Sequence, residues 1–355
     1  MKRKHIGYLG CTALVIASGL AGIPTAGAAS SIHVVRPGQS IQKAVDAARS
    51  GDVIYIRPGT YRESVRITKS HLTLRGSGAL TVLKPTLNKK RAINGCAAAG
   101  NGICVEGTAA RPVVDTRIRG LVLSGFKKNG LWASGTDRLS VRHVTSEKNG
   151  TWGFAEELSV RSLFAHNVAR KNGESGLFLS NTVRTEAGAI NTRGTVVRNN
   201  RLTGNRIGIT VRRLRNVTIK NNDVDRNCGG MFVVGDENKP RTGNILVRRN
   251  YVHDNNAYCP KTARLPFIQG AGIVLTGIER SVVERNEIHH NVGKSPFSGG
   301  VVLFKSVVGA PNQNNIIRRN VLIGNSTADL ANRDTGKGNK FARNTCRRSL
   351  PAGMC

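Results

Sequence analysis

One frame recurs through the second half of the chain: asparagine, a variable residue, an apolar residue, two variable residues, asparagine. It reads NRLTGN at 200–205, NDVDRN at 222–227, NYVHDN at 250–255, NEIHHN at 286–291 and NVLIGN at 320–325. The second asparagine also anchors upstream segments, at Asn149 and Asn172. Its shortest steps are 22–23 residues, and the longer ones carry insertions such as 257–270 and 295–298. After each of the first six anchors come one or two glycines and an alternating apolar run: GFAEEL, GLFL, GITV, GGMFV, GIVL, GGVVLF. A second alternating pair follows (Val217/Ile219, Ile245/Val247, Val283, Ile317), then the apolar residue inside the frame (Leu202, Val224, Val252, Ile288, Leu322).

A repeat of this length offers three short strands separated by turns. Strands of two to four residues cannot bury both faces as hairpins. Wound into a coil, each strand pairs with its equivalent above and below, and the inward residues form one apolar column. Side-chain amides stacked along the axis then bond one another, as they do in other ladders. The predicted fold is all-β, a parallel β-helix with three strands per coil. The abundant glycine (41 residues) and scarce aromatics (5%) suit short strands and tight turns.

The predicted organisation is a signal peptide over 1–28, an N-terminal cap over 29–50, the β-helix over 51–345 and a C-terminal tail over 346–355. The leader rests on Lys2, Arg3 and Lys4, an apolar run from Ile6 to Ile23, and the small residues Ala26, Gly27 and Ala28. Cys11 lies too early in the apolar run for a lipidation site. The expected location is therefore extracellular, with no membrane span. In the cap, Ser40 precedes a helical pattern with Ile41, Ala44, Val45 and Ala48 on one face, a lid for the open end of the stack. Cys96, Cys104, Cys228, Cys259, Cys346 and Cys355 form an even set, as in disulfide-bonded secreted chains. Their short separations favour Cys96–Cys104 and Cys346–Cys355, leaving Cys228–Cys259.

The pattern over about 33–345 resembles the secreted right-handed parallel β-helix proteins, the superfamily of pectate lyases, polygalacturonases, pectin methylesterases and alginate epimerases. It is most similar to their generic asparagine-ladder members. The resemblance implies the fold and a polysaccharide-directed role. It transfers no complete active site. Gly59-Thr60-Tyr61-Arg62-Glu63 matches the GxYxE string of pectin methylesterases without their other segments, and reads as a turn. Arg264-Leu265-Pro266 is a fragment of the pectate lyase Arg-x-Pro-x-x-Arg element. The Asp-Pro-His-Glu motif of the epimerases does not occur.

Side chains alternate along a strand. With Val224, Val252 and Ile288 pointing inward, one outward column is Asp223, Tyr251, Glu287 and a second is Asp225, His253, His289. Coils above and below carry no such titratable pairs there. For β-elimination from a uronic acid polymer, His253 is the candidate base, oriented by Asp225, and Tyr251 the candidate acid. Lys261, Arg264 or Arg249 would meet the substrate carboxylate. Asp225 and Glu287 are the alternative hydrolytic pair. The same polar residues also suit a plain solvent-facing strand.

A third column, Arg198, Lys220, Arg248, Glu284 and Arg318, runs beside Asn199, Asn221, Arg249, Arg285 and Arg319. With a formal net charge of +33, these residues suit an acidic polysaccharide or cell-wall polymer, with arginine forks on carboxylate or sulfate. Arg248, Arg249, Arg285 and Lys220 are the candidate substrate contacts. Nucleic acid is disfavoured, because aromatic residues do not interleave with the basic ones. Stacked like charges discourage association, so a monomer is expected. No cofactor is expected. Calcium would need only a carboxylate pair and carbonyls, but no motif supports it. Lyase-like cleavage of acidic polysaccharide leads the functional expectations. A non-catalytic glycan-binding or surface structural β-helix is the alternative.

Overall fold

The computed structural model describes residues 30–87 and 94–355. The predicted leader and Cys11 lie outside the described residues. The chain from Ser31 to Cys355 is one compact unit. It winds as a β-helix whose strands form three long parallel sheets. The first sheet has 12 strands, the second 10 and the third 11. One coil runs through Leu246–Arg248 in the first sheet, Tyr251–His253 in the second and Ala271–Thr276 in the third, then returns to the first at Val282–Glu284.

Inward residues of successive coils stack as one core. Leu202, Val224, Val252, Ile288 and Leu322 are each at most 1% exposed. Both asparagines of the repeated frame build ladders. At the corner between the first and second sheets, Asn222 Nδ2 and its backbone N–H donate to Asn250 Oδ1 at 2.9 and 3.0 Å. Asn250 does the same to Asn286, and Asn286 to Asn320. At the corner between the second and third sheets the anchor asparagines bond alike from Asn149 to Asn325, and that ladder ends on the buried carboxylate of Asp329. The amides satisfy themselves and the turn backbone where water does not reach. The glycines after each anchor stack beside this ladder. A Cβ on Gly230 would lie 2.5 Å from the Gly272 carbonyl oxygen, so close approach excludes a side chain there.

Each ladder asparagine follows a left-handed turn residue. Arg249 (φ 51°) and Arg285 (φ 54°) occupy that position. Both therefore sit at the corner between sheets, not on a strand face as the sequence pattern suggested.

Winding begins with Ile32–Val35, which pairs with Val53–Ile56 ahead of any third-sheet strand. Helix α1 (Ile41–Ala47) covers the open end. Its buried Gln42 side chain accepts from Arg66 N–H (2.7 Å) and donates to Arg66 C=O (3.1 Å), replacing a neighbouring strand at the edge of the third sheet. Glu63 accepts from the N–H groups of Ile41 and Gln42 and from the Ser40 hydroxyl. Tyr61 is buried, with its hydroxyl donating to Val35 and Arg57 carbonyls. The GTYRE string is thus part of the end closure. At the other end Ser349–Leu350 adds a last strand to the third sheet. Disulfides join Cys96–Cys104, Cys228–Cys259 and Cys346–Cys355.

Candidate functional site

The second sheet brings the expected columns together. Asp223 pairs with Tyr251 and Tyr251 with Glu287; Asp225 pairs with His253 and His253 with His289. The contacts within the cluster differ from expectation. His253 Nε2 lies 3.1 Å from Asp223 Oδ1 and Nδ1 lies 2.8 Å from Asp254 Oδ2. Asp225 does not orient it. That carboxylate is 1% exposed and drawn instead to Arg226 (3.4 Å) and Arg201 (3.5 Å), while its Oδ1 has no hydrogen-bond partner. Its burial and ion pairing also separate it from the exposed Glu287, the other member of the hydrolytic pair.

Tyr251 stacks on the His253 ring at 3.9 Å between centroids and meets His289 edge-on at 5.7 Å. Burial, then the carboxylates of Asp254, Glu287 and Asp223, push the Tyr251 hydroxyl above its ordinary pKa, so it keeps its proton. His289 Nε2 is buried without a hydrogen-bond partner. Among the described residues, no group of three or more His, Cys, Asp or Glu is placed to hold a metal ion.

Lys261 and Arg264 are not brought to this cluster. Their loop is tied at Cys259 to Cys228 and lays Ile268 and Leu265 on an apolar patch of the third sheet formed by Phe232, Val274 and Val302. The charge of Arg264 is felt by Arg212, a third-sheet residue. The loop turns this way because its apolar side chains find an apolar outer face there and a charged one on the second sheet.

A second candidate surface was not anticipated. On the outer face of the third sheet, Trp132 and Trp152 stack at 6.2 Å with planes 16° apart, and Phe178 stacks on Trp152 at 4.3 Å. The two indoles floor a groove of about 570 Å³, within the range of small-ligand sites. Asn101, Lys128 and Thr151 border one side, and Glu106, Glu157 and Arg184 the other. Register places Ser134 between Glu106 and Glu157. Glu106 pairs with Arg66 at 2.6 Å; Glu157 accepts from Ser134 Oγ (3.3 Å) and Val183 N–H (3.1 Å). Both carboxylates are held as acceptors above an aromatic floor. The available signal was that the chain's two tryptophans lie 20 residues apart. Column reasoning passes over it, because the register partner of Trp132 is Ala155 and Trp152 reaches the stack from the preceding turn.

The family model for the right-handed β-helix region matches residues 70–244 and 238–349. No curated protein sequence matches the chain. Among solved structures, it is similar to the A-module of Azotobacter vinelandii mannuronan C-5 epimerase AlgE6, with TM-score 0.57 and 19% identity over 87% of this chain and 90% of that one. It is also similar to the DFA-IIIase of Arthrobacter chlorophenolicus A6, solved in complex with GF2, with TM-score 0.54 and 14% identity over 86% and 91%. At these identities the likeness concerns the fold. The match over residues 70–349, with the three-sheet winding and its ladders, places this chain in the right-handed β-helix family.

Proposed function

We propose that this protein binds extracellular polysaccharide, with the third-sheet groove as its saccharide cleft. The observation that carries the reading is the floor of stacked Trp132 and Trp152, with acceptor carboxylates along one wall. The C–H face of a pyranose ring lies flat on an indole, while its hydroxyls need acceptors such as Glu106 and Glu157 at the side. Three disulfides suit the oxidising compartment in which such polymers occur. The two tryptophans make the test direct. Neutral and acidic oligosaccharides should change the intrinsic fluorescence on titration, and Trp132→Ala should weaken the responding ligand about tenfold. Wild-type protein that leaves the fluorescence unchanged across both classes overturns the reading.

A second reading, lyase-like cleavage of acidic polysaccharide at the second-sheet cluster, is favoured by the retained Tyr251 proton beside His253. In β-elimination the base takes the proton next to the substrate carboxylate, the freed pair forms the ring double bond, and the glycosidic C–O bond breaks with protonation of its oxygen. His253 would act as base after releasing Asp223 or Asp254, and Tyr251 as acid. Ultraviolet-absorbing products that disappear with His253→Ala support it; binding without product formation removes it.

A further inference from the structure

The first sheet carries a longer basic column than the repeated frame reveals. Its register runs Arg75, Arg119, Arg142, Ala165, Arg198, Lys220, Arg248, Glu284, Arg318. Six of the first seven positions are cationic, and all point outward from the core. Among the described residues none of these six has a carboxylate partner, whereas Arg138, Arg161 and Arg170 on other parts of the coils are each ion-paired. Arg75 lies over the Tyr55 ring, Arg142 touches Ser140, and Arg248 Nε is buried without a hydrogen-bond partner. At the one gap, Ala165, the adjoining corner holds His143 and His166, stacked at 5.1 Å. Burial, followed by the positive neighbours His143, Arg198 and Arg142, lowers the proton affinity of His166. The column ends at Glu284, which Arg318 neutralises at 2.8 Å.

Like charges stacked at the strand spacing, roughly 4.8 Å, repel one another, and among the described residues none of the six is ion-paired to offset it. A bound polyanion would do so. From Arg75 to Arg248 is six spacings, roughly 29 Å. A 1,4-linked pyranose advances by about one such spacing, so a polymer with one acidic group per sugar meets one cation per coil. Arginine forks match carboxylate and sulfate.

We infer that the outer face of the first sheet anchors a linear acidic glycan laid along the solenoid axis, one charged sugar per coil, as a binding surface separate from the third-sheet groove. The inference does not depend on the groove being a saccharide cleft. The test is titration of the intact protein with oligogalacturonates of graded length at several salt concentrations. Affinity should rise with length and level off at about seven sugars. The double variant Arg142→Gln/Arg198→Gln should bind at least tenfold more weakly with a shallower salt dependence, since two ionic contacts are lost. Glu284→Gln should move the plateau to about nine sugars, because Arg318 then joins the column. The ion-paired Arg138→Gln should leave this binding unchanged. Affinity that ignores oligomer length, wild-type binding by the double variant, or equal binding of single-stranded DNA carrying the same number of charges would each overturn the inference in favour of an unspecific basic surface.

Discussion

At the scale of single residues, the most consequential side chain points inward. Glu156 lies among core residues in the third sheet, 3% exposed, with Oε2 lacking a hydrogen-bond partner. Burial raises its pKa to about 7, against a slight opposing pull from the Ser162 hydroxyl. The folded protein therefore keeps a proton that the unfolded chain surrenders from about pH 4.5 upward. Stability should fall as pH climbs from 4.5 towards 7 and then level off, by on the order of 3 kcal/mol. Urea unfolding across that range checks it, and Glu156→Gln, which mimics the protonated acid, should flatten the dependence. The same scale marks the limit of reading sequence. The frame places Asp223, Tyr251, His253 and His289 correctly in register, because register follows from stacking. It does not reveal that His253 bonds Asp223 and Asp254, because ring orientation answers to Tyr251 stacking on one side and to arginines competing for Asp225 on the other.

At the scale of elements, the ladders bear on stability more than the short strands do. Asn250 is 1% exposed and supplies the oxygen that Asn222 uses twice. Asn250→Ala would leave buried donors of Asn222 unpaired, at a cost of about 2–4 kcal/mol. Asn344→Ala, at the end of the same ladder and 7% exposed, should cost about half as much. Denaturant unfolding of the pair distinguishes a ladder from a row of unrelated turns: equal losses would contradict it. Strands and ladders were legible because each coil repeats the same few letters. The earlier coils were harder to read, since strands such as Leu131–Ser134 lack the full frame. The groove was missed for that reason, and because one of its two indoles comes from a turn.

At the scale of the whole molecule, a solenoid must close its ends or grow by stacking on another copy. Here α1 and Gln42 close one end, and Asp329 with the last strand closes the other, its second oxygen taking the N–H groups of Arg347 and Arg348. Gln42→Ala combined with Glu63→Ala should loosen the lid and expose the Val65–Ile67 edge. Concentration-dependent association in sedimentation, with the β-sheet spectrum retained, is the expected outcome; a monomer of unchanged stability would show that the helix is dispensable.

Where both ladders run, the crossing of the second sheet admits one length only: from the first ladder asparagine to the second is always five residues, as in Asn200/Asn205 and Asn286/Asn291. Full coils nevertheless range from 22 to 36 residues between successive anchors. In the coils that carry both ladders, most of the length variation thus falls at the two borders of the third sheet. New loops can be grafted beside the tryptophan floor without disturbing the arginine column, so one molecule can alter what it grips on one flank while holding the same anchorage on another.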